Sequence, residues 1–139
     1  MRRVVVTGIG VVSPNGIGRE QFGEAIREGR SGVSEIESFD TSGLPIRIAG
    51  EVKNFDVLPY LGCHKKNVKL LSRAVSFAIG AGALAMEDSG LDPARLDPTR
   101  FGVCMGTGIT PIDIAELARP MARALGTDGA FDYEQFSIA

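Results

Sequence analysis

From Arg3 to Ile9 the chain carries Val4, Val5 and Val6 with no polar position between them, the pattern of a strand buried on both faces of a parallel sheet. A glycine loop follows, with Gly8, Gly10, Gly16 and Gly18 around Pro14 and Asn15. Residues 19–28 place Phe22, Ala25 and Ile26 at helical spacing, and Gly29 stops that helix. Ile46, Ile48 and Val52 then alternate with Arg47, Glu51 and Lys53, which predicts a half-exposed strand pairing at an edge. The longest periodic stretch, residues 65–86, lines up Val68, Leu71, Val75, Ala78, Ile79 and Gly82 and predicts one long helix. Its second half is nearly bare of bulky side chains, so neighbours can approach its backbone closely. Ser89-Gly90 closes it, Asp92-Pro93 caps a short helical turn, and Asp97-Pro98 makes another turn. Residues 101–105 predict a second short buried strand, and Thr110-Pro111-Ile112-Asp113 is a capping box opening a helix that Pro120 should bend or break. Phe131, Tyr133 and Phe136 fill the last stretch, which stops without a cap or a polar tail, as a chain cut short would.

Composition narrows the class of molecule. Seventeen acidic residues against fifteen Lys and Arg leave a net charge of −2 over 139 residues, with 44% hydrophobic side chains, the balance of a globular chain. No window holds the roughly 18 to 20 apolar residues that cross a bilayer, and no secretory leader pattern precedes the first strand, so the chain is read as cytoplasmic and free of membrane contact. Two cysteines, Cys63 and Cys104, are too few for a disulfide framework and lack metal-ligand spacing. No metal and no cofactor is therefore expected.

Four features invite chemistry. The run Thr7-Gly8-Ile9-Gly10 begins like a dinucleotide-binding turn, but Ser13 stands at the third glycine, Pro14 follows it, and no acidic residue ends a second strand at the required distance. Tight passage of small residues under neighbouring loops explains it better. Cys63 adjoins His64, the single histidine, yet neighbours in a helix or strand point apart and form no thiolate–imidazolium pair. Cys104, inside an apolar strand, reads as inert packing. Residues 57–86 contain no carboxylate but include Lys65, Lys66, Lys69 and Arg73, and a helix would set 66, 69 and 73 on one anion-attracting face, unless that face is simply a solvated flank. No aromatic interleaves these cations and the whole chain is acidic, which argues against nucleic acid and for an acidic protein or a phosphate-bearing partner. Gly106-Thr107-Gly108-Ile109, at the carboxyl end of the second strand, is placed to line a pocket.

Six blocks in order, namely Arg2 to Gly16, Gly29 to Val33, Phe39 to Ser42, Ile48 to Lys53, Ala85 to Leu91 and Gly106 to Gly108, resemble the amino-terminal part of the chain-elongating, type II β-ketoacyl-acyl carrier protein synthases. The resemblance runs from Arg2 to about Ile109 and corresponds to the first third of such an enzyme. It implies an α/β fold of the thiolase type, an αβαβα layered arrangement of which this chain would be an incomplete amino-terminal half. It also implies a homodimer that condenses an acyl thioester with malonyl-acyl carrier protein, in fatty acid or polyketide synthesis, with decarboxylation. Under it, residues 1–139 are an expected truncated portion of a condensing-enzyme domain, and residues from about 110 to 139 a divergent pocket- or dimer-facing insertion. The family's nucleophilic cysteine and two histidines would lie downstream, since Cys63, Cys104 and His64 do not match them, leaving no catalytic residue in this chain. Lys65, Lys66 and Lys69 fall in the segment that contacts acyl carrier protein, and Leu70 stands where some relatives have another base. Thr107, Gly108 and Ile109 would form the acyl-binding wall, with Ile109 at a pocket gate; Thr110-Pro111 replaces the glycines that often follow. A non-catalytic module that binds acyl carrier protein is the alternative, and a small nucleotide-binding domain a third reading.

Overall fold

A computed structural model describes residues 3–108 and 114–136. In order, it forms strands β1 (Val12–Ser13) and β2 (Gly16–Ile17), helix α1 (Arg19–Arg27), strands β3 (Val33–Glu35) and β4 (Ile48–Gly50), helix α2 (Arg73–Ser89) and helix α3 (Ile114–Ala124). Three 3-10 segments, Leu58–Tyr60, Gly62–Leu70 and Pro93–Arg95, complete the order. β1 and β2 make a tight antiparallel hairpin around Pro14-Asn15, and β3 pairs antiparallel with β4.

The organising element is α2. Ser72 caps its start by accepting from the Val75 amide at 3.4 Å, and Gly90 closes it in the left-handed region at φ 64°. The glycine run lies directly on this helix. A Cβ on Gly8 would sit 2.6 Å from the Ser89 nitrogen, and one on Gly10 would strike the Ala81 carbonyl. These two glycines thus serve contact between backbones, with a helix rather than with loops as their neighbour. Asp88 fixes the approach: its carboxylate accepts from the Ile9 amide at 2.9 Å and pairs with Arg19 of α1 at 3.1 Å. One half-buried acid ties the first segment, α1 and α2 together.

On another side of α2, Gly80 receives the edge of Phe55, which stacks on Tyr60 at 5.9 Å and meets Phe77 edge-on at 5.4 Å. Glu51, just after β4, accepts from the Glu37 amide at 2.8 Å and from the Ser38 amide and hydroxyl, while Lys53 pairs with Glu37 at 2.5 Å. The Asp92 cap on the Ala94 amide and the Asp97 turn form as the sequence predicts. Val52 is buried, whereas Ile46 and Ile48 of the alternating stretch remain exposed.

Four expectations are corrected. The predicted helix from Lys65 is two pieces: Leu71 turns extended, so a 3-10 segment ends there and α2 begins at Arg73. Residues 3–9 and 101–107 form no ladder; Val4 and Val6 are 92% and 82% exposed and Val103 79%, because no described strand pairs with them. Cys104 is consequently exposed instead of packed. Finally, α3 continues through Pro120, which is buried and does not break it, and the Leu125–Phe131 bridge beyond it leads into the Phe131–Tyr133–Phe136 cluster. The capping box at Thr110–Asp113 lies outside the described residues.

The chain presents 11429 Å² of accessible surface, against about 6,900 Å² for a typical folded monomer of this mass. Among the described residues no large side chain is fully buried; the core is Ala25, Val52, Val57, Leu61 and Ala124.

Gly10→Ala should lower stability by on the order of 1–3 kcal/mol, because neither backbone can yield cheaply. Gly82→Ala meets open space inside α2 and should raise stability by about 0.5–1 kcal/mol. Urea unfolding midpoints measure both, and equal shifts of one sign would contradict the packing described. The Glu51 carboxyl lies below its usual 4.5 chiefly because the Ser38 hydroxyl and the Glu37 amide donate to its charged form. Such a lowered group stabilises the fold above its unfolded value and ceases to as pH falls through the folded one. Thermal midpoints of the parent and Glu51→Gln should therefore differ at neutral pH and converge below the glutamate range.

Candidate functional site

Two surfaces hold the residues singled out by the sequence. The first is an apolar groove of about 550 Å³ between α2 and the segment 103–107, lined among others by Ala78, Ile79, Gly82, Ala83, Met105 and Thr107. Its floor is smooth because the α2 residues there are small, and Gly82 leaves open space where a side chain would stand. Thr107 therefore sits at the groove. Gly108 follows as an exposed bend outside the lining, and Ile109 lies outside the described residues.

The second surface is the 3-10 segment Gly62–Leu70. Its three-residue turn stacks Lys66 above Lys69, whereas Lys65 starts the row that continues through half-buried Val68 and Leu71. All three lysines are exposed, and among the described residues no carboxylate pairs with them. Arg73 leaves the group. It opens α2 with its guanidinium donating to the Val52 carbonyl and lying 4.9 Å from the Phe77 ring centre, so it acts as a brace between the chain just after β4 and α2. An uninterrupted α-helix would have kept it with Lys66 and Lys69; the break at Leu71-Ser72 separates them. The Ser72 cap is the signal in the sequence that marks this break.

Cys63 and His64 are both exposed on the same segment, and His64 departs from helical geometry at φ −92°, ψ 15°. No hydrogen bond joins them among the described contacts, and no cluster of His, Cys, Asp or Glu among the described residues is arranged to hold a metal ion. No described helix is long and apolar enough to cross a membrane. The residue missed by sequence reasoning is Asp88, whose partners lie 79 and 69 positions back along the chain.

Residues 1–130 match the family described as β-ketoacyl synthase, N-terminal domain. The chain belongs to this family. Its match continues past Ile109, where the motif resemblance stops. The 3-oxoacyl-acyl-carrier-protein synthase 2 of Vibrio harveyi is 41% identical over 115 residues, 83% of this chain and 27% of that protein. The tetracenomycin polyketide synthase ketoacyl synthase beta subunit of Streptomyces glaucescens is 32% identical over 134 residues, 96% of this chain and 32% of that protein. The chain thus spans roughly a quarter to a third of the length of these curated relatives. Among solved structures, the ishigamide ketosynthase/chain length factor is 38% identical with a TM-score of 0.62, covering 68% of this chain and 23% of that one. A type II polyketide ketosynthase solved with its acyl-carrier protein, AntDE:AntF, is 30% identical with a TM-score of 0.62, over 98% of this chain and 30% of that one. The fold is accordingly the amino-terminal portion of the thiolase-type α/β arrangement.

Both thiols of the chain are exposed, so both should react with a disulfide reagent in the native protein. A titration giving two equivalents without denaturant checks this; one equivalent would place a cysteine under cover.

Proposed function

We propose that this chain is the amino-terminal portion of a 3-oxoacyl-acyl carrier protein synthase, an acyltransferase of fatty acid or polyketide synthesis. The parent reaction is decarboxylative condensation of an acyl thioester with malonyl-acyl carrier protein. The observation that carries the reading is the family match over residues 1–130, joined to a cationic segment with no competing carboxylate. Within the enzyme, the glycine run on α2 and the Asp88 clamp build scaffold, Thr107, Gly108 and Ile109 form acyl-pocket wall, and Lys65, Lys66 and Lys69 receive acidic acyl carrier protein. Residues 110–139 face the pocket or the dimer partner.

The chemistry of the described side chains supports a division of labour. Thioester exchange needs a thiol of depressed pKa beside donors aimed at the developing oxyanion. On this reading the nucleophile and its imidazole partners are supplied by polypeptide other than these 139 residues, since Cys63, Cys104 and His64 do not match the catalytic residues that the resemblance implies. The parent enzyme acts in the cytoplasm as a homodimer and uses no metal or cofactor.

Assay of this chain alone with acyl and malonyl thioesters should give no condensation product, whereas the longer enzyme should form a complex with acyl carrier protein; a tight complex of the isolated chain would instead favour the non-catalytic binding module. Replacing Lys65, Lys66 and Lys69 with Glu should weaken that complex at least about tenfold at low salt and flatten its salt dependence. Condensation by the verified chain alone, or binding indifferent to all three reversals, would overturn the respective parts of the proposal.

A further inference from the structure

Leu70 is the most exposed leucine among the described residues, at 83%, and it stands next to Lys69 at the end of the cationic segment. It belongs to neither the groove along α2 nor the unpaired extended segments. Its outward position is set by both neighbours in the chain. With three residues per turn, Val68 and Leu71 share the inward row, where they line a cavity with Phe55, Val57 and Phe77. The Leu71 amide donates to the Val68 carbonyl at 3.2 Å, and Ser72 then caps α2. Leu70 is left on the outer side, beside the Lys66–Lys69 row.

We propose that Leu70 is an apolar anchor of the acyl carrier protein interface, seated between carboxylates of the carrier that the neighbouring lysines attract. This deepens the carrier-protein reading and rests on it. Charge complementarity selects the occupant: residues 57–86 hold no carboxylate, the three lysines are unpaired within the described structure, and an acidic protein is the partner such a surface attracts. The lysines steer and orient the carrier. The leucine supplies contact that salt does not screen, at a position held in place before binding.

The test is titration of the longer enzyme with a holo acyl carrier protein of a type II system, at low and high salt, for the parent, Leu70→Ser, Leu70→Met and the Lys66→Glu/Lys69→Glu pair. Leu70→Ser should weaken binding about tenfold at both salt concentrations with an unchanged thermal midpoint, the loss expected when one leucine is no longer buried. Leu70→Met, which keeps an apolar side chain of similar volume, should bind within about threefold of the parent. The lysine pair should lose affinity chiefly at low salt. If Leu70→Ser binds like the parent while the lysine reversals weaken the complex, the anchor is overturned and the carrier surface stands. If the parent does not bind, or the reversals change nothing, the carrier reading falls and the anchor with it. If Leu70→Ser instead lowers binding only to vesicles of anionic phospholipid, the leucine serves a membrane surface and the proposal fails.

Discussion

The architecture depends on one close approach, the passage of the Gly8–Gly10 backbone across the small-residue face of α2. Two main chains can come this near only where neither carries a Cβ between them, and the Ile9 amide would be left without a partner if Asp88 did not accept from it. Asp88 is itself held by Arg19, so the same acid that satisfies the first segment also docks α1. The β1–β2 hairpin then follows as the connection between two already placed elements. Its Asn15 reaches the Arg30 carbonyl at 2.6 Å, bringing the chain after α1 back to the hairpin.

Much of this could be read from the residues, and what could not has identifiable causes. Helix α1, the Gly90 stop and the Asp92 and Asp97 turns depend on local chemistry, and local chemistry is what a sequence displays. The break before α2 was hidden because Val68, Leu71 and Val75 keep an apolar spacing compatible with one helix, while Ser72, the actual boundary, carries no weight in a hydrophobic pattern. The valines at 4–6 have the composition of a buried strand, but composition cannot provide a pairing partner, and among the described residues none lies alongside. The role of Asp88 is illegible in the sequence for another reason. Its two partners are distant in sequence, and a single acid near a helix end has an ordinary capping appearance. Of the three residues expected at a pocket wall, Thr107 lines the groove along α2, Gly108 lies outside its lining, and Ile109 is not among the described residues.

The fate of the four cations shows how winding decides role. Lys66 and Lys69 point to water because a 3-10 turn brings them into one row, and Arg73, four residues on, is folded against Phe77 because a new helix begins there. A planar guanidinium suits that second position, since it can donate to a carbonyl and lie over a ring at once, which an ammonium cannot do equally well. Arg73 stays exposed, but its guanidinium is committed to the Val52 carbonyl and the Phe77 ring.

The large wetted area also bears on calorimetry. Heat capacity rises on unfolding because apolar groups become hydrated, typically by about 12–15 cal/mol/K per residue. Val4, Val6, Val103 and Leu70 are hydrated already while the chain is folded. Their share of that increment is absent, so the stability curve of this domain is flatter with temperature than its length implies, and its sensitivity to denaturant is correspondingly shallow.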